Sequence, residues 1–97
     1  MINHVYLLLI DMNWAFGDRQ IESEIFYNVE DAREYMNMYA DSLINDIWQD
    51  SKEYYSEDIE KFYQDIEVNK YLDEVCIYLD DCCDIYIDIT KKDIMSM

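Results

Sequence analysis

Few side chains in this chain have the types and spacing that catalysis requires. His4 is the one histidine, and no serine or cysteine is placed beside it as a triad nucleophile would be. Asp11 follows an apolar run, where metal-dependent enzymes often hold a carboxylate, but a polar residue ending a strand is the simpler interpretation. We therefore predict no catalytic residues and no enzyme, and a small metal-dependent enzyme using Asp11 stays an alternative.

The segment Asp80-Asp-Cys-Cys-Asp84 is the densest group of potential metal ligands. It lacks the alternating oxygen ligands and glycine of a calcium loop and the spaced cysteine pairs of a zinc site. Gly17 is the only glycine, so a glycine-rich phosphate loop is excluded. The sequence thus predicts neither a metal site nor a cofactor.

The cysteines and the N-terminal residues bear on the cellular compartment. An odd number of cysteines, three, is typical of a reduced protein. The apolar run Val5–Ile10 is too short to span a bilayer and lacks the flanks of a secretory signal. We expect a cytoplasmic protein, in the cytoplasm of the host cell if a phage encodes it, with no membrane partner.

Charge is the strongest signal in the sequence. Twenty-three Asp and Glu oppose seven Lys and Arg in 97 residues, a formal net charge of −16, where solubility asks for a magnitude of roughly 2–8. Residues 41–88 hold fifteen of these carboxylates against three lysines. Repulsion among so many carboxylates lowers the folding stability. A functional reason for keeping this negative charge is therefore favoured. The expected partner is a basic protein, and direct binding of nucleic acid is disfavoured.

The first third of the chain predicts a β-hairpin. A strand from Asn3 to about Trp14 is apolar on both faces over Val5–Ile10, which is typical of a central strand covered on both sides. Gly17 supplies the turn because it adopts positive φ without steric cost. The second strand, Ile21 to Tyr27, alternates isoleucines on one side with glutamates on the other.

Two helices follow, and a second hairpin ends the chain. Asn28 is a predicted N-cap, and apolar residues then recur at helical spacing from Ala32 to Trp48. Ser56 is a second predicted cap, for a shorter helix over 57–67. Residues 74–80 and 84–90 alternate with period two. The prediction is one α+β domain over 1–97, with a four-stranded antiparallel sheet in the order ββααββ, both helices on one face, and a frayed tail at 91–97.

Acidic residues and tyrosines of the last hairpin and the interhelical segment are the predicted partner contacts. Carboxylates in ladders at strand and helix spacings resemble rows of backbone phosphates, and tyrosine is enriched at interface hot spots. The predicted contact residues are Asp46, Asp50, Glu53, Tyr54, Glu57, Asp58, Tyr78, Asp80, Asp81, Asp84, Tyr86 and Asp88. An ordinary solvated acidic face remains the competing interpretation.

In size, acidity and element order, the whole chain resembles small phage-encoded inhibitors of bacterial defence, above all acidic anti-CRISPR proteins. No motif carries the resemblance, so it implies no residue roles. It implies inhibition of an RNA-guided nuclease, whose basic DNA-binding or PAM-reading groove the carboxylates would occlude as a DNA mimic. Alternatives are an immunity protein that neutralises a basic nuclease toxin and a structural, oligomeric phage protein.

Overall fold

The computed structural model describes residues 4–94, and in it an antiparallel sheet carries both helices on one face. In chain order the elements are β1 (His4–Trp14), β2 (Arg19–Phe26), α1 (Val29–Ser51), α2 (Ile59–Asp65), β3 (Glu67–Lys70), β4 (Glu74–Leu79) and β5 (Cys83–Asp93). The strand order is β2-β1-β5-β4-β3, with every neighbouring pair antiparallel. The α+β class predicted from sequence is confirmed.

The predicted count of four strands is wrong, because β3 adds a fifth. Ile66 caps α2 by donating its N–H to the carbonyl of Phe62, and the chain then extends at once along β4. β3 has four residues of which Val68 alone is strongly apolar, too few for a period-two pattern to stand out. The order is therefore ββααβββ.

The predicted fraying of the tail is wrong for its first three residues. Lys91, Lys92 and Asp93 belong to β5 and pair with the first residues of β1. These residues are in a strand because the pairing of β5 with β1 continues along the whole of β1. The polar sequence of residues 91–93 by itself does not indicate this pairing. The part of the predicted tail after Ile94 lies outside the described residues.

The long helix α1 follows its sequence pattern closely. Asn28 caps it, its side-chain oxygen accepting from the N–H of Glu30 at 2.7 Å, with Glu30 and Asp31 in the first turn. Its buried residues, Ala32, Met36, Ala40 and Ile47, lie on the predicted apolar stripe. At 23 residues it is about 34 Å long, by a rise of 1.5 Å per residue.

The second helix is shorter than predicted and has a different cap. Asp58, not Ser56, is the N-cap and accepts from the N–H of Glu60 at 3.1 Å. Ser56 and Glu57 instead take positive φ values of 53° and 60°, which reverse the chain between the helices. Phe62 is the only residue of α2 that is buried, and it packs against Trp48 of α1.

One face of the sheet forms the core with the helices, and the other face is uncovered. Alternate residues of the three central strands are buried under α1 and α2: Leu8, Ile10, Met12, Val75, Ile77, Leu79, Cys83, Ile85 and Ile87. The predicted covering of β1 on both sides is therefore wrong. Leu7 is only partly buried and Leu9 is 36% exposed, because no described element packs on that side.

Candidate interaction surface

The uncovered side of the sheet, called the open face below, carries an acidic half on β3, β4 and β5. The strand register places Asp84 opposite Tyr78, Tyr86 opposite Cys76, and Asp88 opposite Glu74. Glu67 of β3 adds a further carboxylate, opposite Tyr78. Directly opposed residues have Cβ atoms about 4.5–5.5 Å apart, so these side chains form one continuous surface.

Two tyrosines stand among the carboxylates of the acidic half. Tyr86 donates its hydroxyl hydrogen bond to Glu74, and Tyr78 donates to Asp80 at 3.1 Å. The bond to Glu74, with some desolvation, raises the pKa of Tyr86 to about 12, and the bond to Asp80 raises the pKa of Tyr78. Both rings stay 42% exposed, so each presents an oriented, neutral aromatic group to a partner.

The other half of the open face is apolar and was missed at the sequence level. Leu7 pairs with Ile25, Leu9 with Ser23, and Ile21 with Asp11, so the leucines and isoleucines share one side. Ile21 and Ile25 are 56% and 60% exposed. We call Leu7, Leu9, Ile21 and Ile25 the apolar half.

The alternation predicted for β2 is present, but its direction is unusual. Its two glutamates, Glu22 and Glu24, face the helix side, and Glu22 accepts a hydrogen bond from the hydroxyl of Tyr39 on α1. Burial and that bond raise the pKa of Tyr39. Because β2 is an edge strand at the rim of the helix layer, its helix side is wet enough for carboxylates and its isoleucines are left outside.

Asp11 lies at the boundary of the two halves and is held by Arg19. The guanidinium donates to both carboxylate oxygens, at 3.0 and 2.9 Å. That hydrogen bonding, together with the positive charge, lowers the pKa of Asp11. The Asp11 carboxylate is thus engaged in a cross-strand ion pair.

The predicted contact residues of α1 lie on the opposite side of the molecule from the acidic half. Asp46 and Asp50 of α1 are exposed, as is Glu53 just after the helix, and α1 packs on the face of the sheet that carries Leu8 and Ile10. The structure therefore divides the predicted set between two surfaces. Two grooves of about 340 and 320 Å³ also lie on the helix side, and both are open to solvent.

The interhelical segment and the β4–β5 turn lie at one end of the sheet, apart from the centre of either surface. Glu57 and Tyr54 are exposed there, Tyr54 by 84%. Asp58 is engaged as the α2 cap. Asp80 and Asp81 form the turn closed by the bond from the Cys82 N–H to the Leu79 carbonyl, and Asp81 has a φ of 59°. The predicted contacts Asp84, Asp88, Tyr78 and Tyr86 are thus brought together on the open face, and the hydrogen bond from Tyr78 joins Asp80 to them.

The cysteines are free, and none belongs to a described metal-binding group. Burial raises the pKa of Cys83 to about 12, and desolvation also raises the pKa of Cys76, on the open face. Within residues 4–94, no three His, Cys, Asp or Glu side chains are placed to hold a metal ion.

Neither helix between His4 and Ile94 has both the length and the apolar composition that a bilayer span needs. Comparison with known proteins adds no relative: no family model, curated protein or solved structure matches this chain.

Proposed function

We propose that this protein is a stoichiometric inhibitor that binds a basic groove of a nucleic-acid-binding enzyme, a bacterial defence nuclease of the RNA-guided type. The acidic half of the open face would sit where the enzyme holds nucleic-acid phosphates. Its action is by occupation and not by catalysis, and the natural site of action is the cytoplasm of the cell that contains the nuclease.

The observation that carries the proposal is the composition of the acidic half. Four carboxylates, those of Glu67, Glu74, Asp84 and Asp88, adjoin two tyrosines on a sheet surface that no element between His4 and Ile94 covers. In the described register, the basic side chains on this face are Arg19, already paired with Asp11, and Lys92, near the far end of β5. The carboxylates therefore lack local cations to neutralise them.

The spacing of these charges supports the same conclusion. Asp84 and Asp88 are four residues apart on one strand, about 13 Å, and Asp88 and Glu74 face each other at about 5 Å. A groove that neutralises a row of phosphates presents several Lys and Arg over similar distances. Electrostatic complementarity of this kind speeds association and makes binding depend on salt.

The test is a DNA-binding and cleavage assay on a panel of RNA-guided nucleases, with the protein at equimolar and excess amounts and at two salt concentrations. We expect inhibition that saturates near one equivalent and weakens at high salt. Inhibition of no panel member would contradict the nuclease proposal. A basic nuclease toxin added to the panel tests the immunity-protein alternative, which predicts inhibition of the toxin alone.

Two double variants identify the contacting surface because they remove the same charge from opposite layers. Asp84→Asn/Asp88→Asn removes two of the four carboxylates of the acidic half, and Asp46→Asn/Asp50→Asn removes two carboxylates from α1. Three of these positions are exposed and Asp88 is partly buried. We expect the first to weaken inhibition by at least about tenfold, 1.4 kcal/mol, and the second to have little effect. Equal effects would mean that total charge matters and the open face does not.

A further inference from the structure

The two halves of the open face together indicate what kind of partner surface fits them. The proposed function explains the acidic half, and nothing in it requires Leu9, Ile21 and Ile25 to be exposed on the same face. A surface that only imitates phosphates would gain nothing from exposed aliphatic side chains, which favour association through their burial.

We propose that the open face binds a basic amphipathic α-helix of its partner protein, with the apolar stripe of that helix on the apolar half and its Lys and Arg over the acidic half. This inference rests on the proposed function, since it specifies the element of the basic enzyme that is bound. Basic helices are common where proteins approach nucleic acid, so such a helix is a plausible target for an occluding inhibitor.

The dimensions of the face support a helix as the occupant. Neighbouring strands are about 4.8 Å apart, so β2 and β1 form an apolar strip two strands wide beside an acidic strip three strands wide, on β5, β4 and β3. A helix with its side chains is about 10–12 Å in diameter. Laid along the boundary between β1 and β5, it would contact both strips at once, and the sheet would then be covered on both faces as α1 already covers one.

The row of the strand register through Leu9 carries the boundary between the two halves. Leu9 of β1 lies directly opposite Ser23 on one side and Asp88 on the other, and Asp88 lies opposite Glu74. This row across the sheet therefore runs from a neutral polar side chain on β2, through the aliphatic side chain of Leu9, to two adjacent carboxylates on β5 and β4. A partner that is apolar on one flank and cationic on the other matches this order, whereas a second copy of this chain, with its charge of −16, would be repelled.

The probe is a synthetic leucine–lysine peptide of about five helical turns, designed with its leucines on one face. A scrambled peptide of identical composition has no apolar face and serves as the matched ligand. Binding is measured by fluorescence anisotropy at two salt concentrations. We expect the amphipathic peptide to bind at least about tenfold more tightly than the scrambled one. Equal affinity for the two peptides would overturn the inference.

The variant Leu9→Thr/Ile25→Thr removes two of the four aliphatic side chains of the apolar half and places threonine, whose β-branched side chain suits strands, at both positions. Leu9 and Ile25 are exposed, so the variant is expected to fold, with circular dichroism and the thermal midpoint as checks. Met38→Gln removes an apolar side chain that is 66% exposed on α1 and is the control. We expect the threonine variant alone to abolish the preference for the amphipathic peptide; should Leu9→Thr fail to fold, Ile21→Thr/Ile25→Thr replaces it.

The same variants separate this inference from the proposed function. Nuclease inhibition that survives Leu9→Thr/Ile25→Thr but is lost in Asp84→Asn/Asp88→Asn would overturn the helix-binding inference and leave the inhibitor proposal standing. Selective binding of the amphipathic peptide without inhibition of any nuclease would support the inference and contradict the proposed enzyme target.

Discussion

Replacing Phe62 with alanine should separate α2 from the rest of the molecule. Phe62 is fully buried and is the only buried residue of its seven-residue helix. Its ring contacts Trp48 at a centroid distance of 5.3 Å and Tyr55 at 5.7 Å, edge-on. The variant loses these two contacts and a third with Tyr63 at 5.6 Å. It also leaves a cavity, which for a buried phenylalanine costs about 3–5 kcal/mol.

That loss is a large part of the total stability of a domain of this length, about 5–15 kcal/mol. At about 4–8 °C per kcal/mol, the thermal midpoint of Phe62→Ala should fall by at least about 12 °C. Urea unfolding gives the free energy, and hydrogen exchange shows where the structure opens. We expect the fastest new exchange in α2 and the interhelical segment, because Phe62 holds both against α1.

Tyr63→Ala is the matched control for this prediction. Tyr63 is the next residue of the same helix, loses the same helix-forming difference to alanine, and is 59% exposed. Its replacement should cost no more than about 1 kcal/mol, as for most surface substitutions. If Phe62→Ala and Tyr63→Ala were equally destabilising, the reasoning that one buried ring anchors α2 would be refuted.

Three further substitutions test local features of the structure. Gly17→Ala should lower the free energy of unfolding in urea by about 1 kcal/mol, because Gly17 has a φ of 88°, which disfavours any residue with a Cβ. No atom lies within 4 Å of the position that this Cβ would take, so a larger loss would contradict the structure by indicating a clash. In an ultraviolet alkaline titration, Tyr86→Phe should remove one phenol that ionises at about 12. Because Glu74 raises the folded pKa of Tyr86, the stability that their hydrogen bond contributes is present below the ordinary tyrosine range and is lost as the pH rises toward 12. An unchanged titration would contradict the hydrogen bond. Asp11→Asn should lower the thermal midpoint at neutral pH, because it removes the charged partner of Arg19. The difference from wild type should shrink as the pH falls through the lowered folded pKa of Asp11, because protonation of Asp11 then removes the same charge. A difference that is constant with pH would argue against the ion pair.

The α+β class and helix α1 were predictable because the hydrophobic periodicity of a long segment indicates whether it forms a helix or a strand. The cap at Asn28 and the stripe from Ala32 to Ile47 depend on residues close in sequence. β3 was missed because its four residues carry one strong apolar side chain and acquire their strand geometry from pairing with β4. Local pattern does not reveal such a partner.

The candidate surface was predictable only in part, for a related reason. Period two shows which residues of a strand share a side but not which side a helix will cover. The sequence therefore shows that Ile21 and Ile25 share a side of β2 but not that they are exposed, because their exposure follows from the position of β2 at the rim of the sheet. Asp46 and Asp84 look alike in sequence as exposed carboxylates, and only the packing of α1 on the far face separates them.

The position of β2 at the edge of the sheet has a consequence for the handling of this protein. Its eight residues leave one side unpaired, and an unpaired strand with exposed isoleucines is a template for strand addition between molecules. Glu22 and Glu24 line that same strand, so at neutral pH two copies brought edge to edge would oppose like charges. Near the isoelectric point of about 4.1 the net charge of the whole molecule vanishes, and with it the long-range repulsion between copies. Acidic buffers should therefore turn a monodisperse solution into aggregates that grow through β2, while the individual molecules remain folded.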